Sequence, residues 1–323
     1  MKRADPVEHA LNSLADLRRT PETAEHVTQL RAFLRNRSNL VVAKAAKLAG
    51  ELRADDLIPD LVAAFGRFMA DPARLDKRCA ALTEIVAALY AMDYIDAADV
   101  YLRGIRHVQM EGSWGPPVDA AVQLRAHSAA GLIRTRDPDA VFEVVNLLAD
   151  SESGARAGAA RALACVGGDS GALLLRLKVL TGDEHPDVIA ECFTGLLRAD
   201  PERSVPFVAR YLDDADNAIA EAAALALAST RSPAAVERLK EKWARTSRGP
   251  MRGTLLLALA TAREESAMEF LLELIRDETA HVAVEVINAL RVCRDDERAR
   301  DAVRRAVEQR AAPEVTEAFH SVF

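Results

Sequence analysis

Aromatic residues are scarce in this 323-residue chain, at 5% of the total, while half of all residues are apolar. The interior must therefore be filled mainly by Ala, Leu and Val, which suits close packing of helices. Cysteine is equally sparse. Cys79, Cys165, Cys192 and Cys293 lie far apart and form no C-x-x-C pair. That excludes a clustered zinc site or a dithiol redox motif. Each falls in a helical segment, so buried, reduced thiols are expected, as in a reducing compartment. No stretch approaches the roughly 20 uninterrupted apolar residues that span a bilayer. The first residues, MKRADPVEHALNSLADL, contain no long apolar run, so no signal peptide is visible and a cytoplasmic location is expected.

The usual catalytic signatures are missing too. No G-x-S-x-G elbow occurs; GSWG at 112–115 has neither the spacing nor a preceding strand. GGDSG at 167–171 lies between two helical stretches and lacks the Lys of a phosphate loop, so it is expected to be a helix end and turn. The acidic pairs Asp55-Asp56, Asp213-Asp214 and Asp295-Asp296 sit at turns or helix starts, where capping accounts for them. His127 and Cys192 are expected to be ordinary helix residues. No catalytic residue, metal or cofactor is expected. The formal charge of −7 argues against general affinity for nucleic acid. It is unevenly spread: residues 1–53 hold 10 Lys/Arg against 6 Asp/Glu, whereas residues 137–230 hold 7 against 16. The acidic middle would favour a basic partner.

What the chain does have is a repeat. Residues 150–168, DSESGARAGAARALACVGG, read as one helix with cap candidates before it and Gly167-Gly168 after it. Ala155, Ala159 and Leu163 share one face. The pattern returns at Leu89, Leu132, Leu163, Leu196, Leu227, Leu259, Leu290 and Val322, in steps of 43, 31, 33, 31, 32, 31 and 32 residues. Eight residues before each anchor stands Ala81, Leu124, Ala155, Val188, Ile219, Met251 or Val282; only the last repeat departs, with Glu314. A constant period of this size predicts stacked helix pairs.

The segments ARAGAARAL (155–163), VIAECFTGL (188–196), IAEAAALAL (219–227), MRGTLLLAL (251–259) and VAVEVINAL (282–290) resemble the second helices of HEAT repeats, in the form found in bacterial HEAT-like proteins related to phycobilisome lyase subunits. The resemblance spans nearly the whole chain. It implies an all-α fold: a right-handed α-solenoid of about eight to nine HEAT-like helix pairs over residues 1–323. That family often has Arg directly after the first apolar position; Arg125, Arg156 and Arg252 keep it, and the other repeats do not. The resemblance carries architecture more than activity. Deoxyhypusine hydroxylases share the repeat and hold two irons through His-Glu dipeptides; none of the seven histidines here is followed by Glu. HEAT-like DNA glycosylases need a basic groove, which the negative charge does not favour.

In chain order, residues 1–20 are expected to form an N-terminal capping helix beginning at Asp5-Pro6 and broken at Thr20-Pro21. Pairs follow at 22–35 with 39–53, and at about 55–70 with 74–92. The third pair is interrupted by HVQMEGSWGPPVD, a loop insertion at 107–119 whose Gly and Pro residues exclude continuous helix. Compact repeats then start at Asp137, Asp169, Asp200, Ser232 and Glu264, and 295–323 is a charged C-terminal capping repeat.

Two features point to binding. Trp114 lies in the Gly/Pro-flanked insertion, and with Glu111 and Arg125 is expected to anchor a partner. On the second helices, Leu225, Leu257 and Val284 point away from the anchor face. In HEAT proteins those helices line the concave side, so these three are expected to form an apolar strip for a partner helix or a second subunit, as in a homodimer. The expected function is a non-catalytic scaffold or adaptor for a protein partner. The alternatives are a lyase- or chaperone-like subunit binding a small molecule or chromophore-carrying protein and, third, a nucleic-acid-binding protein.

Overall fold

The computed structural model describes residues 6–19, 24–112, 114–247 and 249–323. Asp5, Thr20-Pro21 and Ser113 of the GSWG stretch lie outside the described residues. Within them the chain is all-α apart from one minimal hairpin.

Helix α1 (Pro6–Leu17) precedes nine pairs in chain order. The first four are α2 (Ala24–Leu34) with α3 (Asn39–Glu51), α4 (Ile58–Met69) with α6 (Ala80–Ala91), α7 (Ala98–Ile105) with α8 (Val122–Thr135), and α9 (Ala140–Leu148) with α10 (Ser153–Leu163). A single turn, α5 (Pro72–Leu75), interrupts the second pair. The next are α11 (Asp169–Thr181) with α12 (Pro186–Ala199), α13 (Pro201–Ala209) with α14 (Asn217–Ser229), and α15 (Pro233–Arg245) with α16 (Pro250–Ala262). The last are α17 (Glu265–Asp277) with α18 (Ala280–Ala289), and α19 (Glu297–Arg310) with α20 (Pro313–Val322).

The helices start where the local chemistry says they should. Pro201, Pro233, Pro250 and Pro313 stand in the first turn, where a missing N–H costs nothing. The carboxylates of Asp200, Asp216, Glu264 and Asp296 accept backbone N–H bonds from the turns that follow them. The largest departure from the sequence expectation is the start of α6. The second helix of the second pair begins at Ala80 rather than 74, because Arg78 and Cys79 take left-handed φ values of 61° and 52°. The buried Asp76 carboxylate accepts from the amides of Ala81 and Leu82, at 2.9 and 2.8 Å, and so ties α6 to its own entry turn.

Contacts divide the chain into two compact units, Met1–Ser170 and Gly171–Phe323. In the first, α3, α6, α8 and α10 pack side by side as one row, with α1 against α3. In the second, α12, α14, α16, α18 and α20 do the same. The anchors Leu89, Leu132, Leu163, Leu196, Leu227, Leu259 and Leu290 are buried, and Val322 at the final helix is half-buried. Eight residues earlier, Ala81, Leu124, Ala155, Val188 and Val282 are buried, while Ile219 and Met251 are half-buried. Each buried Leu contributes on the order of 1.5–3 kcal/mol, and only because a neighbouring helix covers it.

Three of the four cysteines are buried as expected; Cys165 is exposed. It lies in the turn beyond Leu163, where α10 has already ended and no neighbouring helix covers it.

Candidate functional site

The insertion of the first unit contains a minimal hairpin. Met110–Glu111 (β1) and Val118–Asp119 (β2) pair antiparallel, with Met110 opposite Asp119 and Glu111 opposite Val118. Trp114 stands at the tip, fully exposed, and Met110 and Val118 below it are also exposed.

The base of the hairpin is held by buried polar bonds. The Asp119 carboxylate accepts from the amides of Gln109 (3.1 Å) and Ala121 (2.9 Å), and from Arg125 Nη1 (2.6 Å). Arg125 also donates to the carbonyl of His107 (3.0 Å) and pairs with Asp150 from the next repeat (3.1 Å). On the other strand, a Glu111 oxygen accepts from the Arg78 amide and from Gln109 Nε2, each at 2.6 Å. Gln109 Nε2 reaches the Asp76 carbonyl at 2.8 Å. The left-handed pair Arg78-Cys79 is what turns the Arg78 amide toward Glu111.

Of the three residues expected to anchor a partner at the insertion, only Trp114 is free of structural duty. Arg125 is 2% exposed, so it faces the interior and not a partner. The reason is electrostatic: two carboxylates, from Asp119 and Asp150, converge on its guanidinium. Glu111 is half-buried and bonded to the α5–α6 turn. Both side chains position the hairpin.

The other family-type arginines act alike. Arg156 donates to the carbonyls of Asp150 and Ser151, both at 2.9 Å. Arg252 donates to the Thr246 carbonyl at 2.8 Å and lies 3.8 Å over the Trp243 ring. In each case the Arg reaches back six residues and closes the loop between the two helices of its pair.

In the second unit, Leu225 on α14 is 43% exposed, Leu257 on α16 is 37% exposed and Val284 on α18 is half-buried. They lie on successive helices of one packed row, and Leu225 is the most exposed of the three.

The titratable groups are explained by packing. Burial alone would raise the Asp119 carboxyl, but the amides of Ala121 and Gln109 and the Arg125 guanidinium together hold it below the ordinary aspartate value. Burial, reinforced by the charges of Asp76, Asp119 and Glu111, pushes the Cys79 thiol up to about 12. Burial does the same to Cys192, also to about 12. His127 is lowered by burial, opposed by Glu84 and assisted by Arg161. Among the described residues no three His, Cys, Asp or Glu side chains group as a metal site would require. No helix among them is long and apolar enough to cross a membrane.

Residues 173–260 match the family model for HEAT repeats. Within that match lie α12, α14 and most of α16, second helices of sequential pairs carrying the regularly spaced leucines Leu196, Leu227 and Leu259. No curated protein matches this sequence. Among solved structures, the complex of CpcE and CpcF of phycocyanin lyase from Nostoc sp. PCC7120 is similar at 15% identity, over 94% of this chain and 96% of that one, with a TM-score of 0.39. Human deoxyhypusine hydroxylase in complex with glycerol is similar at 18% identity, over 80% and 91%, with a TM-score of 0.32. An engineered protein is similar at 17% identity, over 100% and 97%, with a TM-score of 0.39. Likeness at this level says nothing of activity.

Proposed function

We propose that this protein is a non-catalytic scaffold that binds a protein partner, with the 107–119 hairpin as its principal contact. The observation that carries the reading is a fully exposed Trp114 on a hairpin whose base is fixed by the buried Arg125–Asp119–Asp150 bonds. A large ring held in water by a rigid support loses little conformational freedom on binding, and Trp is the residue type that most often dominates interface energy. The strip formed by Leu225, Leu257 and Val284 supports the same reading as a second surface, for a partner helix or a second copy of the chain.

The test is affinity capture from the native host with the wild-type chain and with Trp114→Ala. The variant is expected to lose its specific partner while keeping its helical circular dichroism. An unchanged set of captured proteins would remove the hairpin from the reading. For the strip, L225D/L257D is expected to reduce self-association or partner capture, measured by light scattering on the folded variant; an unchanged mass and unchanged capture would refute it.

A further inference from the structure

A second surface of the first unit has its own chemistry. Two adjoining cavities, of about 420 and 410 Å³, run along the row of second helices beside α1 and share Leu11 and Lys44 in their walls. The floor is apolar and low: Ala43, Ala80 and Ala120 leave room, and Leu40 is 52% exposed among them. The rim is cationic. Lys44, Lys47 and Arg78 line it, and among the described residues none of the three side chains enters an ion pair. Arg18 also lines it and is matched by Glu51 at 3.1 Å, while Arg19 lies 4.0 Å from Asp16. Glu84 is the remaining acid of the groove.

We propose that this groove takes an acidic amphipathic helix from a partner protein, with its carboxylates on Lys44, Lys47 and Arg78 and a large apolar side chain over Leu40. The proposal rests on the protein-binding reading and names the chemistry of a second contact. Unmatched cations beside an exposed leucine favour a ligand that is both acidic and apolar, the combination an amphipathic helix supplies. The surplus of positive charge in residues 1–53 acts in the same direction and would steer such a segment in. Nucleic acid is the poorer match: the groove has no aromatic side chain in its lining on which a base could stack.

The experiment is fluorescence anisotropy with the full chain and labelled synthetic helices of about 16 residues, long enough for an amphipathic face. One carries Glu on its polar face and Leu on the other; a second carries Lys in place of Glu. The acidic helix is expected to bind in low salt and to weaken about tenfold or more in K44E/K47E, whose two positions are exposed and leave the core untouched. K44A/K47A should lie between. Equal binding of the Lys helix, indifference to K44E/K47E, or preference for an oligothymidylate would overturn the proposal. Trp114 does not line the groove, so Trp114→Ala is expected to bind the acidic helix as wild type does. Partner capture through Trp114 with no acidic-helix binding sinks the groove alone. Acidic-helix binding without any Trp114-dependent partner sinks the hairpin alone.

Discussion

Arg125 shows how one side chain changes meaning with its surroundings. By type and position it suits a partner contact; in place it is a buried cation on which the carboxylates of Asp119 and Asp150 converge. Asp119 therefore links the hairpin to pH. Its folded value lies below its unfolded value, so its stabilising contribution is present above the ordinary aspartate value of 3.8 and is lost as the pH falls through the lowered one. Replacing Asp119 with Asn should lower stability at neutral pH and flatten that acid limb, measured by urea denaturation between about pH 2 and 7. The cysteines give a second check at this scale. Cys79, Cys192 and Cys293 are buried with raised thiol values, and Cys165 is exposed. A native thiol titration should find one fast-reacting group of the four, absent in Cys165→Ser, and all four only after unfolding.

Between elements, glycine sets how closely second helices approach. A Cβ on Gly158 in α10 would lie 2.4 Å from the Ala126 Cβ and 2.7 Å from its Cα in α8. Gly253 in α16 has nothing within 4 Å of that point. Helix propensity favours Ala over Gly by about 1 kcal/mol, and overpacking costs about 1–3 kcal/mol. Gly158→Ala should therefore be destabilising, because the obstacle is backbone, while Gly253→Ala should be neutral to stabilising by about 0.5–1 kcal/mol. Urea denaturation of both variants gives the comparison; stabilisation by Gly158→Ala would mean that α8 and α10 pack less closely. The bond from Asp76 to the first turn of α6 belongs to this scale as well. Asp76 lies in the turn before that helix, and Asn39 from α3 donates to its carboxylate at 3.0 Å.

For the whole molecule, stability is a sum over neighbouring pairs within each unit. Leu227→Ala removes an entirely buried side chain from the row of the second unit and should cost about 2–5 kcal/mol. Hydrogen exchange followed by mass spectrometry should show the loss of protection centred on α12, α14 and α16, with α2 to α4 of the other unit keeping theirs. A uniform loss across the chain would mean that the repeats unfold as a single cooperative block. The repeat period and its anchors were legible because each Leu marks the same face of the same helix in successive pairs. The 107–119 insertion was legible as a break; that Trp114 stands in solvent and does not fold back between repeats came from the structure. The roles of Glu111 and Arg125 were not, because their partners Arg78 and Asp150 lie 33 and 25 residues away.

The amino-acid order alone determined the helices, their pairing and the buried leucines, since helix period, caps and prolines act over a few residues. Tertiary structure alone decided which polar groups are sealed inside and which cations are left unmatched. It also decided that α6 starts late, after two left-handed residues. Those outcomes depend on carboxylates, guanidinium groups and carbonyls from separate repeats meeting within about 3 Å, a distance set by packing that no local pattern encodes.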